Sequence, residues 1–183
     1  MMYLLVNLRM LATLSRAMLS LAVAFSGLAG AVLFMHSYSS ITIATFAGIF
    51  LLSSGAAALN QCQEWRWDAL MRRTQHRPLP ARRLTVLQGL IVAAMMSLAG
   101  FSLLYYYTTP VAALLGIITL LMYNALYTPL KRKSRFAVFV GALVGALPPI
   151  IGWTAAGGSA ISPTILIVAL FMYLWQIPHF QIL

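Results

Sequence analysis

The stretch ITIATFAGIFLLSSGAAAL (Ile41–Leu59) runs without a break into NQCQEWRWD (Asn60–Asp68). The first part is uncharged over roughly the 20 residues that a membrane-crossing helix needs. The second part carries Glu64 and Asp68, the only acidic residues of the chain. Side chains four apart are neighbours on a helix, so Asn60, Glu64 and Asp68 fall on one stripe. A chain that excludes carboxylates everywhere else has put both at one end of one span. Two like charges there repel unless something positive lies between them. A divalent cation such as Mg2+ is a candidate, commonly held by one or two carboxylates plus substrate phosphates. The hard oxygens of Asn60, Glu64 and Asp68 suit it. Ordinary ion pairing is the alternative, since Asp68 and Arg72 also stand at i, i+4.

Composition extends the membrane reading to the whole chain. Hydrophobic residues make up 62% and charged residues 8% of the sequence, against about 25% charged in soluble domains. Mean hydropathy is +0.90. Six apolar segments are predicted to span: Ser15–Met35, Ile41–Leu59, Leu84–Tyr107, Pro110–Tyr127, Phe136–Ala155 and Pro163–Phe180. The first is long enough to read as a retained helix rather than a cleaved leader. All Lys and Arg residues fall before Ala17, within Gln61–Arg83 or within Lys131–Arg135; the loops at His36–Ser40, Thr108–Thr109 and Gly157–Ser162 hold none. Positive charge marks the cytoplasmic side, which predicts a cytoplasmic N-terminus and cytoplasmic basic loops. The net charge of +10 is thereby assigned to membrane-facing loops and not to nucleic acid. The single cysteine, Cys62, excludes an internal disulfide framework and a Cys-only metal site. Pro148-Pro149 is expected to interrupt the fifth span, either as a packing kink or as cavity lining. Gly141 and Gly145 have the small-residue spacing of close helix approach. No matched pair of broken helices in two halves points to a transporter.

Three further segments carry chemistry. Arg72-Arg73-Thr74-Gln75-His76-Arg77-Pro78-Leu79-Pro80 reads as a surface for anionic lipid, or beside a metal as a diphosphate clamp, since guanidinium groups match phosphate oxygens. Tyr127-Thr128-Pro129-Leu130-Lys131-Arg132 lies on the same expected face, as an interface anchor or a second phosphate contact. Trp175-Gln176-Ile177-Pro178-His179-Phe180 places a histidine at a membrane edge, as a ligand or as packing among aromatics.

These segments carry a resemblance. Asn60-x-x-x-Glu64-x-x-x-Asp68-x-x-Met71-x-Arg73-Thr74-x-x-Arg77-Pro78-Leu79 resembles the first acidic motif of the UbiA-type intramembrane prenyltransferases. Tyr127–Arg132, Gly145-Ala146-Leu147-Pro148-Pro149-x-x-Gly152-Trp153 and Trp175–Phe180 are similar to one branch of that family, the protoheme IX farnesyltransferases or haem O synthases. The resemblance implies an all-α polytopic transmembrane helical bundle around a central cavity. It implies transfer of a farnesyl group from farnesyl diphosphate to a vinyl group of haem b, in the bacterial inner membrane. It further implies that Asn60, Glu64 and Asp68 hold Mg2+ and are catalytic, that Arg73, Arg77 and Lys131 contact diphosphate, and that Tyr123, Tyr127 and Trp153 line the substrate cavity. His179 would approach the haem. A quinone or chlorin acceptor, or a non-catalytic scaffold, is the alternative. Two positions depart from the pattern: Glu64 replaces the usual aspartate, and Arg82 stands where glycine is usual. The family has about nine spans, so residues 1–183 are expected to be a single domain incomplete at the C-terminus and inactive alone.

Overall fold

A spanning segment must satisfy its own backbone, because each unpaired group in hydrocarbon costs several kcal/mol. The apolar runs accordingly form helices. The computed structural model describes residues 8–182, the last four as backbone alone, and the described residues include no strand. A short α1 (Leu8–Leu14) precedes α2 (Ala17–Met35), α3 (Ser40–Asp68), α4 (Val86–Tyr107) and α5 (Pro110–Leu121). α5 passes through a π-helical segment, Met122–Tyr127, into the single turn α6 (Thr128–Leu130). α7 (Ala137–Ala155) and α8 (Pro163–Ile182) follow.

The protein is an all-α integral membrane bundle. Five helical stretches are long and apolar enough to cross a bilayer: Ala17–Met35, Ser40–Asp68, Val86–Tyr107, Pro110–Leu130 and Ala137–Ala155. α8 is also apolar over Pro163–Pro178 and runs 20 residues to Ile182, so each of the six segments expected to span is helical. α3 is the central one, with 61% of its apolar window buried against 17% for α4. Its start is fixed by a capping box between Ser39 and Thr42, and the start of α5 by Thr109 with Pro110 in the first turn. The Thr109 hydroxyl also donates to the Thr154 carbonyl at 2.9 Å, tying the α4–α5 turn to the end of α7.

Pro148 and Pro149 do not interrupt their span, contrary to expectation. α7 continues through both, and both are buried. The reason lies on α2, where Gly27 and Gly30 let the backbones meet. A Cβ at Gly30 would overlap the Pro149 carbonyl, and one at Gly152 the Gly27 carbonyl. Pro149 deprives the Gly145 carbonyl of its helical donor. The side-chain amide of Gln176 on α8 packs directly against Gly145. Neighbouring helices therefore cover the region that the prolines weaken.

Candidate active site

α3 extends as one helix well beyond the expected end of its span, so Asn60, Glu64 and Asp68 share one stripe as predicted. All three are buried, at 0%, 8% and 6% exposure. Each carboxylate meets a cation. Arg77 Nη1 donates to Asp68 Oδ2 at 2.7 Å, and Lys131 Nζ donates to Glu64 Oε2 at 2.6 Å. Arg132 Nε stands 3.9 Å from Glu64 Oε1, with its guanidinium over the Trp67 ring.

The partner of Asp68 is Arg77 and not Arg72, the alternative that helical spacing offered. The loop after α3 folds back to make this so. The Thr74 hydroxyl donates to the Asp68 carbonyl at 2.8 Å, and Thr74 is itself buried. Leu79 and Leu84 pack against Cys62 and Ala58 of α3. The basic loop is therefore docked structure, with Arg77 aimed inward and Arg72 and Arg73 exposed. Cys62 is buried in that same cluster, in keeping with an inert thiol.

The other wall is the π segment and α6. Asn60 Nδ2 donates to Thr128 Oγ1 at 2.9 Å, and Thr128 Oγ1 donates to the Tyr123 carbonyl at 2.8 Å. Gln63 Nε2 donates to the Asn124 carbonyl at 3.3 Å. π segments recur at functional sites because they change which face a side chain presents. Here Tyr123 and Tyr127 stack with centroids 5.5 Å apart, and Lys131 Nζ lies 5.6 Å from the Tyr127 ring while bonding Glu64. Both basic loops thus reach the same end of α3.

Three buried amide oxygens at this end of the bundle have no hydrogen-bond partner among the described residues: Asn60 Oδ1 and Gln61 Oε1 on α3, and Asn124 Oδ1 in the π segment. An unsatisfied buried acceptor costs about 1–3 kcal/mol. No group of three or more His, Cys, Asp and Glu side chains that could hold a metal gathers among the described residues. The donor set is instead mixed amide and carboxylate oxygen, the chemistry that suits a hard divalent cation.

Other expected residues are placed elsewhere. Arg73 is exposed and forms no ion pair among the described residues. Trp153 lies sixteen residues from the start of α7, about 24 Å along the helix and toward the uncharged end. It packs edge-on to Phe34 and against Gly158, so it is not gathered with the acidic stripe. The side chain of His179 lies outside the described residues. Asn124 was not anticipated; a lone amide inside an otherwise apolar run was the signal that could have found it.

The chain matches the model of the UbiA prenyltransferase family over residues 17–183. It is 39% identical over 169 residues to a protein named protoheme IX farnesyltransferase from Nitratidesulfovibrio vulgaris (strain DP4), covering 92% of this chain and 59% of that one. A protein of the same name from Geobacter sulfurreducens is 40% identical over 168 residues, 91% of this chain and 62% of that one. The chain thus spans about 60% of the length of these curated relatives. Two solved structures share the fold. One, from work on digeranylgeranylglyceryl phosphate synthase in membranes, has a TM-score of 0.80 at 17% identity, over 93% of this chain and 60% of that one. The other, a UbiA homolog from Aeropyrum pernix K1, has a TM-score of 0.73 at 21% identity, over 88% of this chain and 61% of that one. Family match and fold agree, and the chain belongs to the UbiA prenyltransferase family.

Proposed function

We propose that this protein takes part in transfer of a farnesyl group from farnesyl diphosphate to a vinyl group of haem b, forming haem O. The observation that carries the reading is the buried stripe Asn60–Glu64–Asp68 faced by Arg77 and Lys131, in a chain whose relatives bear the name protoheme IX farnesyltransferase. Asn60 Oδ1 and the two carboxylates would hold Mg2+, whose charge offsets that of the leaving diphosphate.

The chain's own residues account for the rest. Arg77 and Lys131 carry more donors than their carboxylates use, so each can keep its ion pair and bond a phosphate oxygen. Arg73, at the exposed rim, would meet the diphosphate as it arrives. As the bond between farnesyl C1 and the bridging oxygen breaks, the electron pair leaves with the diphosphate and an allylic cation remains. These cations are already in position, so stabilising the leaving group requires little reorganisation. The stacked rings of Tyr123 and Tyr127 would face the allylic cation and keep water from it. The haem vinyl carbon attacks farnesyl C1, and water then adds to the resulting cation with loss of a proton to give the hydroxyl.

The same reading puts the protein in the bacterial inner membrane, with the N-terminus, the basic loops and the site cytoplasmic. Labelling of Gln75→Cys in intact cells by an impermeant external reagent would overturn that orientation. The reaction is tested by supplying the full-length membrane protein and Mg2+ with farnesyl diphosphate plus either haem b or 4-hydroxybenzoate. Farnesylated, hydrated haem by mass is expected; exclusive prenylation of the hydroxybenzoate would overturn the acceptor.

A further inference from the structure

Trp67 is the next-to-last residue of α3, three after Glu64 and one before Asp68, and it is 51% exposed. An exposed tryptophan at the end of a membrane span ordinarily anchors the helix at the interface. This ring also carries a charge. The Arg132 guanidinium lies over it, 5.6 Å from the centroid and within cation–π range. Glu64 and Trp67, three apart, are adjacent on the surface of α3. The two consecutive cations that follow α6 therefore reach one carboxylate, and each has a ring of its own. Lys131 Nζ lies 5.6 Å from the Tyr127 ring and donates to Glu64 Oε2 at 2.6 Å. Arg132 Nε stops 3.9 Å from Glu64 Oε1.

A charge-assisted N–H···O bond closes to about 2.7–2.9 Å. The gap of 3.9 Å at Arg132 is beyond hydrogen-bond reach. Arg132 is thus kept near the carboxylate without being spent on it, and the ring beneath it is what holds it there. Its terminal amino groups have no hydrogen-bond or ion-pair partner among the described residues. No other carboxylate of the sequence can take them. Glu64 and Asp68 are its only acids, and Lys131 and Arg77 already bond them. With 38% of its side chain exposed, the guanidinium is open to an arriving oxyanion.

We propose that Trp67 is a positioning residue: its indole holds the Arg132 guanidinium beside Glu64 but off it, with the terminal amino groups left for a diphosphate. Resting on the proposed reaction, this deepens it by adding a cation and the ring that aims it. A carboxylate of the acceptor is the other oxyanion that a guanidinium could bind. Diphosphate is the assignment because Arg132 faces the same carboxylate as Lys131, its neighbour in sequence and a proposed leaving-group contact.

The test is titration of the full-length protein with inorganic pyrophosphate in the presence of Mg2+, beside absorbance titration with haem b. Arg132→Gln should weaken pyrophosphate binding about tenfold. Trp67→Leu keeps apolar bulk at the interface but removes the ring, and should weaken it about three- to fivefold. Trp67→Phe should recover part of that loss. Added to Arg132→Gln, Trp67→Leu should cost nothing more, because the ring acts through the guanidinium. Haem b binding should be unchanged in every variant, and KM should rise for farnesyl diphosphate alone. Full additivity of the two substitutions would make Trp67 an interface anchor and overturn the proposal. Weaker haem b binding with pyrophosphate binding unchanged would give Arg132 to the acceptor and overturn it too. The titration needs no turnover, so it stands apart from the reaction. The predicted pyrophosphate pattern in a protein that forms no farnesylated haem would sink the reaction and keep the positioning role. Equal pyrophosphate binding by all the proteins would sink the positioning role whatever the reaction.

Discussion

Toward the uncharged end of the bundle, α2 and α7 meet backbone to backbone. Gly27, Gly30 and Gly152 bring the chains too close for any side chain, and the buried prolines lie in the seam. At the charged end, α3 meets the π segment and α6 through side chains. There the contacts are ion pairs and amide hydrogen bonds, and three buried amide oxygens, those of Asn60, Gln61 and Asn124, have nothing to accept from among the described residues. The first contact is filled by the chain's own atoms. The second is built from groups that cost stability when left as they are. In a membrane, where lipid is as apolar as any side chain, close packing is the ordinary means of holding helices together. Ion pairs and side-chain amides set against that background distinguish the charged end from the seam.

The sharpest way to break this contrast is at Asp68. Asp68→Asn should lower prenyl transfer by about 100-fold or more, the scale seen when a positioned charge-stabilising group is lost. Membrane insertion should be unaffected, and Glu64→Asp should keep activity. Near-normal turnover of Asp68→Asn in the full-length protein would make the stripe a structural ion-pair feature. The seam is tested by Gly152→Val, which forces α7 off the Gly27 carbonyl. A loss of about 3 kcal/mol, read by thermal unfolding in detergent, is expected. An unchanged midpoint would mean that the backbones are not so close. Asn124→Leu should do the opposite at the other end. By removing an orphaned acceptor it should raise stability by about 1–2 kcal/mol while activity falls. If activity is retained, the amide oxygen has no ligand role. The smallest effect concerns the loop that delivers Arg77. Arg82 holds a left-handed φ of 55°, so Arg82→Gly should stabilise by about 1 kcal/mol without changing turnover.

That last position shows how sequence and structure inform each other. Arg82 stood out in the sequence as a departure from glycine, and the backbone angle supplies the physical reason that glycine suits the turn. The α3 stripe was legible because helical spacing alone puts Asn60, Glu64 and Asp68 together. The convergence of the basic loops was legible because charge asymmetry marks one side of a membrane. Partner choice was not. Asp68 takes Arg77 over the nearer Arg72 because Thr74, Leu79 and Leu84 dock the loop, and tertiary packing of that kind leaves no periodic trace. Pro148-Pro149 misled for a similar reason: proline weakens an isolated helix, and only the glycines of α2 and the Gln176 amide of α8 make this one tolerable. Trp153 carries a motif resemblance, yet the rise of α7 sets it near the uncharged end.

The π segment between α5 and α6 has a consequence in angular terms. Along an ordinary α-helix each residue advances the direction of its side chain by about 100°. Met122–Tyr127 breaks that progression, so every position beyond it is out of phase with the lipid-facing pattern set by Pro110–Leu121. Lys131 meets Glu64 because of that offset. The register of this short stretch, as much as the identity of the lysine, decides which way its charge points. A one-residue deletion there would keep every functional side chain in the sequence and turn Lys131 and its neighbours away from the acidic stripe.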